Sequence, residues 1–334
     1  MSNQLGGVLP AGWRSATLGE VSKCILGGTP STEVPQFWGG DVPWMASGDV
    51  HLRRVKDVPG RITALGLRSS NATLTSPPAV AVGLAGQGKT RGTVALTLCT
   101  LSTNQSIALL KANGSDLRTD YLFHNLDRRY EELRARSSGG GRGGLSKAIL
   151  EAVPIELPPL REQQKVAQIL DTVDTAIHET EAIIAKLKAV KQGLLHDLLT
   201  RGIDANGELR PPQAEAPHLY KESPLGWVPK EWDIATLEEV STAVTSGSRD
   251  WARFYADSGA LFVRIGNLTR EHINFRFEST IYVRPPRNAD GQRTRLEPGD
   301  ILISITADLG IVGVVPDGMG EAYINQHIAL VRPN

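Results

Sequence analysis

Cysteine is nearly absent: Cys24 and Cys99 are the only two in 334 residues. They form neither a CxxC pair nor a framework, which excludes a disulfide-stapled scaffold and a cysteine zinc site, and predicts a reducing, cytoplasmic setting. The seven histidines include no His-Glu-x-x-His, so no metal ligand set is expected. No apolar run approaches the ~20 residues that cross a bilayer, and MSNQLGGVLPAGW lacks a basic segment followed by an apolar one, so neither a membrane partner nor export is expected. Net charge is also missing: 36 basic and 36 acidic side chains cancel. Methylation and nuclease signatures are absent too. Ser76-Pro77-Pro78 and Arg284-Pro285-Pro286 lack the Asn/Asp-Pro-Pro-Tyr/Phe pattern, no glycine-rich adenosylmethionine loop occurs, and Pro316-Asp317 is followed by Glu321-Ala322-Tyr323 rather than Glu-x-Lys.

With 40% apolar and 22% charged residues, the chain has material for a buried core, and its length predicts about two domains. Neutrality hides a distribution. Residues 1–150 carry 17 Lys and Arg against 10 Asp and Glu, 151–200 carry 5 against 8, and 201–334 carry 14 against 18. A basic first segment suits phosphate contacts, although a solvated basic face on an ordinary enzyme looks the same.

An internal repeat organises the chain. LPAGWRSATLGEVSKCILGG from Leu9 realigns with VPKEWDIATLEEVSTAVTSG from Val228, matching Pro10/Pro229, Trp13/Trp232 and the Ala-Thr-Leu and Glu-Val-Ser triplets. TNQSIALLKAN from Thr103 aligns with INQHIALVRPN from Ile324, and WMASGDV from Trp44 aligns more weakly with FVRIGNL from Phe262. Three matches in one order imply two copies of one domain. After Asn113 the first copy continues through a helix-like DLRTDYLFHNLDRRYEELRARSS, a glycine-rich turn and VPIELPPL. The second copy stops short of these, so its domain is expected to be incomplete.

Between the copies lies the most regular segment. Val166, Leu170, Val173, Ile177, Thr180, Ile184, Leu187, Lys191, Leu194 and Leu198 alternate spacings of four and three, a heptad seam. Pro158-Pro159 ends the preceding strand and Arg201-Gly202 ends the helix, giving about 40 residues and ~60 Å at 1.5 Å per residue. Packing on its own domain is one use for such a helix. Its length favours a coiled-coil partner, a second equivalent helix.

These features together resemble the specificity (S) subunit of type I restriction-modification systems. The carriers are Trp-x-x-x-x-Leu-x-Glu-Val near the start, Gly-Gly-Thr-Pro-Ser at 27–31, Trp44 with Ser47-Gly48-Asp49, Thr103-Asn104-Gln105, PIELPPLREQQKVAQILDTVD from Pro154, ESPLGWVPKEW at 222–232, and the repeat. The resemblance spans essentially the whole chain, and the Leu-Pro-Pro-Leu-x-Glu-Gln junction is its most specific part. It implies an α+β chain: two homologous target-recognition domains, each a mixed or antiparallel sheet with helices, joined by the heptad helix. The expected boundaries are a first target-recognition domain at 1–157, a coiled-coil spacer at 158–200, a linker at 201–227 and a second, incomplete target-recognition domain at 228–334. It further implies a non-catalytic subunit that reads double-stranded DNA as two half-sites and docks methyltransferase and restriction subunits. Adenosylmethionine, ATP and magnesium would then belong to those partners, and this chain would carry no cofactor. Three readings of the short second copy stay open: a disrupted remnant, pairing with a second S fragment, or self-association through the spacer helix.

A phosphate-loop NTPase is a competing reading, because Gly83 to Thr90 matches G-x-x-x-x-G-K-[ST]. That motif needs a helix beginning at its lysine, whereas RGTVALTLCTL reads as a strand, and the second copy has Ala307-Asp308-Leu309 where Gly-Lys-Thr is required. A coiled-coil adaptor is a third reading, but it leaves the duplicated domain without a role. As a hairpin tip near DNA, the same loop offers Gln87 for adenine and Lys89, Thr90 and Arg91 for phosphates, with a solvated turn as the alternative. In the second copy, side-chain chemistry and apparent loop position select Arg249, Arg253, Arg264, Asn267, Arg293 and Arg295.

Overall fold

A computed structural model describes residues 9–86, 88–136, 144–286 and 289–334. The chain is α+β and divides into two compact units, Met1–Gln192 and Gly193–Asn334. In the first, a five-stranded sheet runs in the order Ser22–Leu26, Ile107–Ala112, Ala79–Gly83, Val94–Thr97 and Arg54–Val55. The strand Ala79–Gly83 is buried along its whole length, as its unbroken small and β-branched sequence requires for a strand covered on both faces. One face packs on Leu18, Leu117, Leu122, Phe123, Leu126 and Leu150, among others. The other packs on Met45, Val50, Val55 and Leu101. A smaller sheet sets Trp38–Met45 antiparallel to Arg61–Ile62 and parallel to Ser102–Thr103.

The second unit repeats this plan. Ser241–Ser246, Ile328–Pro333, Ile301–Ser304 and Val312–Val314 form a sheet in the same order, and Ala260–Val263 runs parallel to Ala322–Ile324. Local chemistry repeats with it. The Thr17 backbone N–H donates to Glu20 Oε2 at 2.6 Å, and Thr236 does the same to Glu239 at 2.6 Å. In the second copy the Glu239 N–H donates back to Thr236 Oγ1 at 3.3 Å, closing a capping box at the Ala-Thr-Leu repeat. Gly27 and Gly247 lie against the carbonyls of Asn104 and Asn325 respectively, with no space for a Cβ, so both copies keep glycine at the same crossing.

The copies differ in what covers their first turn. Leu18 and Val21 are 0% and 2% exposed, but their counterparts Leu237 and Val240 are 56% and 47% exposed. In the first copy, Leu150 from the helix Lys147–Glu151 and Ile155 from the strand Pro154–Leu157 join the cluster over them, and that strand pairs with Arg14–Thr17. The described residues of the second copy contain no equivalent of either. The stretch read as a linker is folded: Tyr220–Ser223 and Gly226–Pro229 form a hairpin, and Tyr220 donates its hydroxyl to the Pro211 carbonyl at 2.6 Å.

The heptad segment is one helix, Leu160–Thr200. Its entry explains the Pro-Pro-Leu-x-Glu-Gln junction. Gln163 is fully buried, donating from Nε2 to the carbonyls of Asp116 and Pro158 at 2.8 and 2.9 Å and accepting from the Arg118 backbone N–H at 2.9 Å. Glu162 accepts from the Trp13 indole at 3.3 Å. One glutamine thus satisfies three backbone groups that the turn leaves without a ladder partner. At the other end, Gly202 takes φ +61° with Trp232 against it, a left-handed residue just beyond the last helical turn.

Candidate nucleic-acid interface

The loop between Ala79–Gly83 and Val94–Thr97 is a hairpin connection, not a phosphate loop. Gly83 N–H donates to the Thr93 carbonyl and Gly92 N–H to the Gly83 carbonyl, each at 2.9 Å, and Val94 onward continues as an antiparallel strand. No helix begins at Lys89, so the helical N-terminus that would hold a nucleotide phosphate is missing. That geometry removes the NTPase reading. Lys89 is exposed, Thr90 and Arg91 are half-buried, and Gln87 lies outside the described residues. The loop is braced on two sides: Thr90 Oγ1 lies 3.3 Å from His51 Nε2, and Arg134 donates to the Gly88 carbonyl.

In the second copy the six chosen residues separate by environment. Arg249 and Arg253 are exposed in one loop, with the Arg253 guanidinium 4.9 Å from the Phe254 ring centroid. Arg295 is exposed beside a cleft of about 570 Å³ that Arg284, Gln292, Glu321 and Tyr323 also line. Burial, then the Glu321 hydrogen bond, push the Tyr323 hydroxyl up to about 12, so it is a neutral donor at any working pH. Arg284 was missed by sequence reading, because nothing in Arg-Pro-Pro announces a cleft. Arg293 donates to Thr245 and Ser248, at 2.5 and 2.9 Å, and to the Ser246 carbonyl, which fastens its short helix to the strand Ser241–Ser246. Arg264 is half-buried and reaches Ser279 at 3.4 Å.

Asn267 is buried and committed to its own loop. It is 2% exposed, its Oδ1 accepts from the Arg264 N–H at 2.9 Å, and its Nδ2 donates to the carbonyls of Arg276 and Ser279 at 2.9 and 3.3 Å. Asp49 occupies the equivalent position in the first copy and accepts from the Ala46 N–H at 2.8 Å. The weak Trp44/Phe262 alignment therefore marks a shared cap. Asn267→Ala should cost about 1–3 kcal/mol of stability by leaving buried backbone groups unpaired, with DNA sequence preference unchanged. Urea unfolding beside a binding titration checks both halves of that expectation.

A cluster that sequence reading did not find ties the spacer helix to the first copy. Arg53 donates to Asp127 at 2.7 Å and to both oxygens of Asp174 at 3.1 and 2.9 Å. Arg54 donates to Asp171 at 2.6 Å, and His124 Nε2 lies 2.7 Å from the same carboxylate. Both guanidiniums sit over the Phe123 ring, at 5.2 and 5.4 Å. Burial alone would raise the Asp171 pKa, but hydrogen bonds from His124 and Arg54 outweigh it and hold the carboxyl below its usual range. The Asp171 share of this attachment is therefore present above the ordinary aspartate pKa and is lost as pH falls through the depressed one.

Beyond this attachment the seam is bare. Val166 packs on the first copy's core, but Leu170, Val173, Ile177, Ile184, Leu187, Leu194 and Leu198 are 39–61% exposed. Acidic and basic residues also segregate along the helix. Asp171, Asp174, Glu179 and Glu181 precede Lys186, Lys188 and Lys191, with no Lys or Arg in the first block and no Asp or Glu in the second. Among the described residues no group of His, Cys, Asp and Glu is arranged to hold a metal ion, and no helix is long and apolar enough to cross a membrane.

Comparison with known proteins places this architecture. Residues 10–189 match the family model for the type I restriction modification DNA specificity domain. The chain is 24% identical over 266 residues to the type I restriction enzyme MjaVIII specificity subunit of Methanocaldococcus jannaschii, covering 78% of this chain and 56% of that one. It is 28% identical over 165 residues to the EcoR124I/EcoR124II specificity subunit of Escherichia coli, covering 48% and 40%. It thus spans little more than half the length of the first of these relatives. Its fold matches the type I restriction-modification S subunit of M. genitalium with a TM-score of 0.53 at 15% identity, covering all of this chain and 74% of that one. A chain from a study of complex assembly and conformational transition of the type I R-M system gives 0.52 at 21%, covering 98% and 77%. With more than half its length matched by the family model, and its repeated sheets lying before and after one long helix in the sequence, the chain belongs to the type I restriction-modification specificity family.

Proposed function

We propose that the chain is the DNA-reading, non-catalytic component of a type I restriction-modification complex, each recognition domain engaging one half of a bipartite site. The repetition of one α+β domain on either side of a 41-residue helix is the observation that carries this reading, because two like readers on a spacer suit two half-sites with unspecified bases between them. Exposed Lys89, Arg249, Arg253 and Arg295 are the candidate phosphate and base contacts, and Thr90 and Arg91 support the first loop. Gln87 stays a candidate on chemistry alone. Asn267 and Arg293 are better used within the fold. Methyltransferase and restriction subunits, with their adenosylmethionine, ATP and magnesium, are the proposed partners.

The bare seam is proposed to pair with the same helix of a second copy, running antiparallel. Crossing near Ile183 and Ile184 sets the Glu179 and Glu181 region of one helix beside Lys186, Lys188 and Lys191 of the other, the pairing that charge complementarity favours. A fluorescence-anisotropy titration of the intact chain on duplex DNA, with and without a methyltransferase subunit, tests the reading; no DNA-dependent signal in either arm would end it. Lys89→Ala should weaken binding across all sequences and reduce the slope of log K against log salt by about one. An unchanged slope would take Lys89 out of the interface.

A further inference from the structure

We infer that Arg53 and Arg54 form a positioning latch that holds the first recognition domain at one orientation on the spacer helix. Arg53 occupies φ +60°, a left-handed conformation unfavourable for an arginine. The neighbouring contacts show what that turn achieves. It ends the 3-10 segment Ser47–Leu52 and sends both guanidiniums to one side, where they bridge Asp127 on the domain to Asp171 and Asp174 on the helix. An arginine fork can span two carboxylates on separate elements in fixed geometry, which a lysine point charge cannot.

The second copy supplies an internal control. Aligned from the Asp49/Asn267 cap onward, its residues at the latch positions are Glu271 and His272. Glu271 pairs with Arg276 at 3.3 Å, and the His272 ring meets the Asn274 carbonyl at 3.1 Å, both within their own loop. The repeated fold therefore forms without an arginine pair here. The pair is a property of the copy that precedes the helix, and the residues it grips on that helix lie one turn apart, at 171 and 174. The segment has a second attachment two residues earlier, where His51 meets Thr90 of the hairpin loop. Four residues from His51 to Arg54 thus connect that loop to the spacer. If the loop faces DNA, as proposed above, the latch fixes the angle at which the half-site is presented.

Pulsed electron-electron resonance on the full chain tests this without DNA. Spin labels at Arg68→Cys and Gln192→Cys, exposed sites on the domain and the helix, in a Cys99→Ser background with labelled chain diluted in unlabelled chain, report the separation within one chain. A narrow distance distribution is expected, broadening about twofold in Arg53→Ala/Arg54→Ala as the helix is left held mainly at its entry by Gln163 and Val166 and swings about it. Arg53→Lys should broaden it by an intermediate amount, and circular dichroism should show each variant folded. Asp174→Asn, on the helix side, should broaden it as well, so the result does not depend on the arginine loop folding. An unchanged distribution in both the double variant and Asp174→Asn would overturn the latch. A DNA titration of the same samples is a separate arm: loss of all DNA binding by the unaltered chain would end the reading of the loop, while the distance result would still decide the latch.

Discussion

Replacing Ile184 and Leu187 together by aspartate should abolish the proposed antiparallel pairing with a second copy and leave a monomer. Both side chains lie at the middle of the spacer helix, 46% and 61% exposed, where an antiparallel second copy would cross. Each buried aliphatic side chain contributes about 1.5–3 kcal/mol to such a seam. The substitution removes this from both helices and brings four carboxylates to one dry crossing, a cost of several kcal/mol more unless they protonate. The dimer dissociation constant should therefore rise by about 1,000-fold or more, which analytical ultracentrifugation across a micromolar series reads directly. Glu179→Lys/Glu181→Lys should give a smaller rise, because rim charges set orientation more than affinity. A wild-type chain that sediments as a monomer throughout that range would overturn the pairing with a second copy.

The parts of this molecule that follow from periodicity were legible in the sequence. The repeat gave two copies of one fold, and the four-three alternation from Val166 to Leu198 gave the helix. Gly92 and the β-branched run after Thr90 were enough to reject a nucleotide-binding helix. What escaped were interactions between residues distant in sequence. Arg53 and Asp174 are 121 positions apart, and no local pattern marks two arginines after a 3-10 turn as a helix attachment. Gln163 was visible as part of a specific motif, but its reason, three buried backbone groups meeting at the helix entry, exists only once the strand before it has folded. Asn267 shows the opposite failure. Its residue type suits an adenine edge, yet a polar residue four positions past a short strand serves equally as a cap, and its burial favours the cap. Surface arginines were hardest to sort: Arg293 and Arg295 are two residues apart, yet one is bound along a strand and the other opens onto a cleft.

Deleting one heptad from the spacer, Ile177 to Ile183, should change the distance between half-sites and nothing else about them. Seven residues shorten a helix by about 10 Å, close to the rise of three base pairs at about 34 Å per ten, so the unspecified segment should lose about three base pairs. The apolar phase of the seam survives the deletion because Ile184 takes the place of Ile177 and the spacings on either side are kept, while Glu179 and Glu181 are lost with the segment. The latch residues Asp171 and Asp174 and the buried Gln163 all precede the cut, so the first domain's attachment is intact. A two-residue deletion is the control. It turns the seam by about 160°, burying polar residues where Leu187 and Leu194 had been, and should abolish pairing instead of resetting the spacing. Mapping modified sites in cells that carry the methyltransferase subunit distinguishes the outcomes. Half-sites of unchanged sequence at a shorter separation support a ruler whose length is the helix. Altered half-sites, or an unaltered separation, would show that the spacing is fixed elsewhere.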